Sequence, residues 1–421
     1  MRRLTAALRV RLRRRGGLER GASASIVLVL LGGGVLLGAA ALTLDVGNIL
    51  WERRQLQNSA DAASMALAQL CSHDVAQCAG SAMAGLTALA NANAADNAAA
   101  FDTSVYAHGA CGRGIAGLPE CQAPSGALVD CPPVPPSVPS TVKFVQVYTS
   151  TRTGSGGNIL PPFVAETFGY GGTNVKACAR AAWGAPGTYA ATVPMTFSVC
   201  EWRGDTNADP FAVPPVPRTY VDGPSGAAPG YGGAAPQPPW PQASDEVTFM
   251  LQTHSTSTCA NWQGHDVPGG FGYLTENGCR AMVVTGGWVQ IDTGASAPCA
   301  LASMRGRVVD LPIFDCTARS VSGAPTQTVE EIRDGGGTCA EGTGNNTWYH
   351  IAGWAKFYVS GYRISGGSGP DQSEPSYVTG AVPCASGDRC ISGWFVDGIL
   401  RDASSLGGGG DFGAQVVLPA G

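Results

Sequence analysis

The sequence predicts an α+β protein in which a single N-terminal transmembrane helix continues into a helical stalk and leads to a β-rich, disulfide-stapled extracytoplasmic region. Three observations carry that prediction. Ala22 to Leu44 are 23 residues without an ionisable side chain, and at ~1.5 Å per helical residue such a run reaches ~35 Å, enough to cross a ~30 Å hydrocarbon layer. Only 14% of the 421 residues are charged, while 59 Gly and 29 Pro favour short strands, turns and linkers over helical bundles. All 14 cysteines follow the apolar run, from Cys71 to Cys390, as expected where disulfides form and persist.

Charge orients the span. Residues 1–20 hold eight Arg and one Glu, a balance of +7, so the rest of the chain carries −12 of the total −5. The first thirty residues after the run offer only Arg53 and Arg54, and the positive-inside rule therefore puts the N-terminus in the cytoplasm and the C-terminal region outside the cell membrane. Ala39-Ala40-Ala41 has the form of a signal-peptidase site, but the run exceeds the ~7–15 residues of a secretory h-region. No Glu between Gly21 and Leu44 supports prepilin-type processing. An unprocessed, single-pass anchor is expected. Within it, Gly34-x-x-x-Gly38 is a candidate contact for a second helix, because small residues let backbones approach.

Asp45 closes the run, and Leu56, Ala60, Ala63, Leu67 and Leu70 then recur at spacings of four and three, the seam of an amphipathic helix. Gly17 to Gln69 resembles the N-terminal region of the Tad/Flp (tight adherence) pilus-assembly proteins of the TadE/TadG-like group. Arg20 and Gly21 precede the span as in that family, Asp45 and Gly47 end it, and Leu56, Gln57, Ala60, Asp61, Ala62 and Ala63 match its Leu-Gln-x-x-Ala-Asp-Ala-Ala helix. Ser64 and Met65 depart from it, standing where Ala and Leu are usual. The resemblance implies a pseudopilin-like or anchoring component of pilus assembly or surface adherence, with the lipid bilayer and other pilus-assembly membrane proteins as partners, and no enzymatic activity.

Beyond the stalk, Cys71 and Cys78 lie seven residues apart, ~10.5 Å along an unbroken helix, so a disulfide between them requires the helix to break at Ser72-His73-Asp74. Cys111, Cys121 and Cys131 fall in a Pro-rich connector. Strands are predicted at Thr141–Thr149, Asn174–Trp183, Thr192–Val199, Glu246–Thr253 and from His350 to Ile364, with a hairpin over Met282–Ile291 around Gly286-Gly287. A short helix over Ile159–Gly172 starts near Pro161-Pro162 and ends at Gly169. The strand, helix, strand order with Phe163 and Phe168-Gly169 again resembles the Tad-like family, as do Cys200–Trp202, Gly269–Leu274, Pro312–Asp315 and Tyr349–Phe357. Ten prolines from Pro210 to Pro241 mark a flexible insert. The chain thus divides into a basic tail (1–21), span (22–44), stalk (45–104), connector (105–140), strand-helix-strand region (141–203), insert (204–245) and β-rich C-terminal region (246–421).

Motifs that carry chemistry are scarce. The sequence lacks H-E-x-x-H, G-x-S-x-G, a Gly-Lys for a phosphate loop and C-x-x-C. The five histidines are scattered. No cofactor or metal is expected, and three lysines (Lys143, Lys176, Lys356) with an acidic exterior give no basis for a nucleic-acid partner. Asp292-Thr293-Gly294 resembles the catalytic loop of aspartic proteases, whose chemistry needs two carboxylates sharing a proton. The chain has one such triplet, and a tight turn explains it as well. A hydrolase centred on Asp292 is one alternative reading. A surface module displaying Trp354, Tyr358 and Tyr362 to glycan or protein is another.

Overall fold

The computed structural model describes residues 23–29, 32, 35–73, 78, 81–123, 131–136, 138–153, 155–210, 212, 246–275, 280–292, 304–335, 339–340, 344–364, 372–400, 403 and 405–421. Residues 23–29 are helical, and one continuous helix, α1 (Val35–His73), runs across the boundary that Asp45 marks. It contains no proline, so nothing removes a bond from its i→i−4 ladder. Burial changes along its length. Leu42, Leu44, Leu50 and Trp51 are exposed, whereas Glu52, Leu56, Ala60, Ala63, Leu67 and Cys71 are buried. Among the described residues no helix is long and apolar enough to cross a membrane; Ala22, Leu30, Leu31, Gly33 and Gly34 of the uncharged run lie outside them.

The helix ends where a disulfide requires it to. Cys71 and Cys78 are bonded with Cα atoms 5.1 Å apart, and α1 stops at His73. Helix α2 (Ser81–Ala92) then folds back along α1. Ser59 donates its hydroxyl to the Ala90 carbonyl at 2.8 Å, and the Gln55 amide oxygen accepts from the Ala95 N–H at 2.8 Å.

Both helices rest on a first sheet of six strands. Its centre is β3 (Lys143–Thr151) and β4 (Lys176–Gly184), antiparallel partners. Strands β1 (Ala99–Phe101) and β2 (Ala110–Arg113) share the outer edge of β3. Successive residues of β3 divide between two faces, as a pleated strand dictates. Val145 and Val147 meet Ala63, Leu67, Ala181 and Trp183 under the helix. Phe144 faces the opposite way against Val142, Ala182 and Leu406, and Tyr148 joins Tyr106, Cys111, Cys131 and Cys178 on that side. There the connector is stapled down by Cys111–Cys121 and Cys131–Cys178. The free edge of β4 is filled from the far end of the chain: β19 (Ala414–Pro419) pairs antiparallel with it, and β17 (Gly398–Ile399) pairs parallel with β19.

Residues between β4 and β19 build a second sheet, ordered β10 (Phe271–Tyr273), β6 (Met195–Ser198), β13 (Arg307–Arg319), β14 (Thr347–Arg363), β16 (Cys390–Val396) and β7 (Val247–Met250). Strands β12 (Trp288–Gln290), β15 (Ser373–Glu374) and β18 (Gly410–Asp411) add to β14. Two separate pairs, β5 (Thr188–Ala191) with β11 (Ala281–Val284) and β8 (Thr258–Trp262) with β9 (His265–Pro268), flank it. Phe197 sits in the middle of an aromatic core, edge-on to Phe249, Phe271, Phe357 and Phe395 with centroids 5.0–5.9 Å away. Helix α3 (Val199–Thr206), capped by the Ser198 hydroxyl, brings Trp202 onto Phe412. In the longest pair, Asp310 of β13 lies opposite Lys356 of β14, and the two form a buried ion pair. Tyr189 donates its hydroxyl to the other Asp310 oxygen at 3.0 Å.

Two sequence expectations are corrected. Trp354, Tyr358 and Tyr362 are fully buried, so none is displayed: Tyr358 stacks on Trp394 with centroids 4.5 Å apart, and Trp354 packs edge-on to Tyr189. The turn at Gly286-Gly287 exists, with Gly287 N–H donating to Val284 O at 3.0 Å, but its flanks do not form a hairpin. Strand β11 pairs with β5 and β12 with β14, because each finds a longer-range partner.

Candidate functional site

The position where the uncharged run ends is also where the chain builds its most elaborate anchoring of α1. Asp45 points its carboxylate at the start of a single 3-10 turn, Ala165–Phe168, that has no cap from its own neighbours. Oδ1 accepts from the Phe163 N–H at 2.6 Å and the Val164 N–H at 3.2 Å, and Oδ2 accepts from the Ala165 N–H at 2.7 Å. A helical start leaves such donors orphaned, and a carboxylate is their best acceptor. Burial works against the charge, but the three N–H donors hold the Asp45 pKa below its ordinary value. Gly169 closes the turn in the left-handed region, φ 81°. The loop is fixed to α1 through Asp45 and is closed across its own base, where Leu160 and Thr173 exchange backbone bonds.

The other family-motif positions fall on the buried side of α1 or beside it. Leu56 packs with Ala94, Ala99, Val175 and Ala177, and its carbonyl accepts from the Thr149 hydroxyl at 2.9 Å. Gln57 donates from Nε2 to the Cys178 carbonyl of β4 at 2.9 Å and to Asp61 Oδ1 at 3.0 Å. Ala60 and Ala63 are fully buried and Ala62 half-buried, while Asp61 faces solvent. The small side chains bring the helix backbone down onto the sheet, so the Leu56–Leu70 seam is covered by the chain's own strands. Gly47 is different. A Cβ there would meet nothing within 4 Å, and the same holds at Gly38. Arg20, Gly21 and Gly34 lie outside the described residues.

A cleft of about 540 Å³ in the second sheet is lined by Trp288, Asp315, Glu330, His350, Thr326 and Gly409, among others. The bulges at Phe314–Cys316 bring Asp315 beside His350 across two strands, with Nδ1 2.6 Å from Oδ1. Burial would lower the His350 pKa, but the Asp315 carboxylate and the Gly286 carbonyl outweigh it and raise the value above the ordinary one. The ring thus links β13 to β14 through Asp315 and reaches the turn after β11 through the Gly286 carbonyl. Asp315 and His350 each fall in a segment read above as a resemblance, Pro312–Asp315 and Tyr349–Phe357. Their adjacency needs the β13–β14 register, which no local signal carries. Asp292 is exposed, and its N–H donates to the Tyr273 carbonyl at 2.9 Å; Thr293 and Gly294 lie outside the described residues. Among the described residues no group of three His, Cys, Asp or Glu side chains could hold a metal ion.

Fold and site together define a protein led by one long helix, seated by its second half on a sheet and pinned in its first third by a carboxylate. Residues 21–69 match the Tad family model, described as "Putative Flp pilus-assembly TadE/G-like". The match covers the helix from its apolar start to within two residues of Cys71, including every motif position from Asp45 to Ala63, and it supports a pilus-related role. Comparison with the curated proteins gave no match, and comparison with the solved structures gave none.

Proposed function

We propose that the chain is a membrane-anchored, pseudopilin-like component of Tad/Flp-type pilus assembly or surface adherence, with a structural and non-enzymatic role. Its N-terminus lies in the cytoplasm and its folded region outside. The observation that carries this reading is the division of α1. From Glu52 onward one face is buried on the sheet, while Leu42, Leu44, Val46, Leu50 and Trp51 before it are exposed, as are Ile26, Val27, Leu28 and Val29. Apolar side chains exposed on successive residues of a helix, next to eight Arg, call for a lipid or protein environment that the folded region itself does not supply. Gly34 and Gly38 would let a second helix of the assembly machinery approach in that environment.

The experiment is a deletion strain examined for assembled surface pili and complemented with the full chain. Loss of pili on deletion and their return on complementation is the expected result. Normal pili in the deletion strain would remove the proposal. External protease on intact cells should also reach the folded region, and protection of that region would reverse the topology.

A further inference from the structure

We propose that the loop from Ile159 to Tyr170, pinned to α1 by Asp45, is a platform that seats on the lipid headgroup layer and sets the height of the folded region above the bilayer. It rests on the reading of Ala22–Leu44 as a membrane span. The first charged residue after that run, Asp45, is the one whose carboxylate holds the Phe163 and Ala165 N–H groups at 2.6 and 2.7 Å. Phe163 is therefore held at the level where the hydrocarbon-matched part of α1 ends. Its side chain is 72% exposed, and Ile159 (51%) and Tyr170 (45%) flank it in the same loop. The Tyr170 N–H donates to the Ala165 carbonyl at 3.1 Å, which keeps it on the pinned turn.

Single exposed apolar residues on a soluble surface need no explanation. Here three of them share the loop that is bonded to the helix at its exit. Arg152 and Glu166 are the only charges between residues 152 and 175, so little opposes contact with an interface. Dimensions agree. The headgroup layer is about 5–8 Å thick on each side, from the ~30 Å core and ~40–45 Å total, and Leu44 to Trp51 covers ~10 Å of helix. Phe163 thus stands at the inner boundary of that layer, a depth aromatic side chains favour, and Trp51, 57% exposed, stands just beyond its outer one.

The test uses the full chain reconstituted in vesicles of phosphatidylcholine and phosphatidylglycerol, as wild type and as Phe163→Trp, a change at an exposed site that leaves the fold intact. Flotation with the vesicles reports the anchor. The emission that the new Trp adds reports the platform. Expected are flotation of both proteins and a blue-shifted added component, quenched by lipid brominated near the top of the acyl chain and shielded from aqueous iodide. Flotation with an added component open to iodide and untouched by brominated lipid overturns the platform and leaves the anchor standing. An added component reached by neither quencher means that a protein surface, such as a second copy, covers the loop, and also overturns it. Failure to float removes the anchor and the platform together.

Discussion

At the scale of single residues, Asp45 and Lys356 show two ways in which a charge is held by this fold. Asp45 caps a turn more than a hundred residues away in sequence. Its pKa is lowered in the folded state, so its contribution is present above the ordinary carboxylate value of about 3.9 and is lost only as pH falls through the lower folded value. Asp45→Asn keeps an acceptor but removes the charge, and amide exchange at Phe163, Val164 and Ala165 should quicken at neutral pH while β3 and β4 exchange as before. Unchanged exchange at those three amides would mean the carboxylate does not hold the loop. Lys356 is the opposite case, a cation buried in a sheet with Asp310 as its partner. Lys356→Met leaves Asp310 charged and enclosed, which typically costs about 3–5 kcal/mol, whereas replacing both by apolar residues of similar volume is often near neutral. Chemical denaturation of Lys356→Met and of Lys356→Met with Asp310→Leu should show a large loss and then recovery of most of it. An equal loss in both would point to packing instead of the unpaired charge.

At the scale of elements, His350 joins three pieces of chain that lie apart in sequence. Its raised pKa means that the contribution of the imidazolium is fully present below about 6.5 and is lost as pH rises through the folded value. Unfolding measured against pH should therefore show stability falling on the alkaline side of that point, and His350→Gln should flatten this part of the profile. A profile that stays the same in the variant would show that the latch is energetically silent. The same region marks the boundary of what sequence reveals. Strands β3, β4 and β14 are legible because β-branched and aromatic residues repeat in them and their ends carry turn residues. Strand β13 is not, since Asp310, Pro312 and Asp315 interrupt its apolar pattern. The structure accounts for two of these with the Lys356 and His350 partners, which only the fold brings near. Strand β19 is six residues long, too short for a periodic signal. The seam of α1 was legible, and the break before Cys78 was legible on condition that Cys71 and Cys78 pair, because helix geometry excludes that disulfide from an unbroken helix. The Asp45 cap was not, because its partners are backbone N–H groups of a distant loop.

At the scale of the whole molecule, the first sheet is finished by the last residues of the chain. Strand β4 takes β19 as its second neighbour, so α1 rests on a surface that includes Val417 and is incomplete until β19 has been made. An N-terminal fragment stopping after β4 should consequently fold poorly, with an open β4 edge prone to wrong pairing. The geometry of the junction suggests the remedy. Pro186 and Leu406 form an antiparallel bridge, Gly187 N–H donates to Ser405 O at 2.9 Å, and Gly407 N–H donates to Ala185 O at 2.7 Å. Two strands so paired can be joined by a hairpin loop of about 2–5 residues. Replacing residues 188–404 with such a turn removes the second sheet except β18, and β17 with it, and rejoins β4 to β19 through residues 405–413. With the N-terminal apolar run also removed to about residue 45, the product should unfold cooperatively and retain the Cys71–Cys78, Cys111–Cys121 and Cys131–Cys178 disulfides, whereas the fragment ending after β4 should not. Cooperative unfolding of both would show that β19 is dispensable to the helix-bearing sheet. Failure of both would show that the second sheet supports the first through the Phe412–Ala414 contacts it shares with β14, making the two sheets a single folding unit.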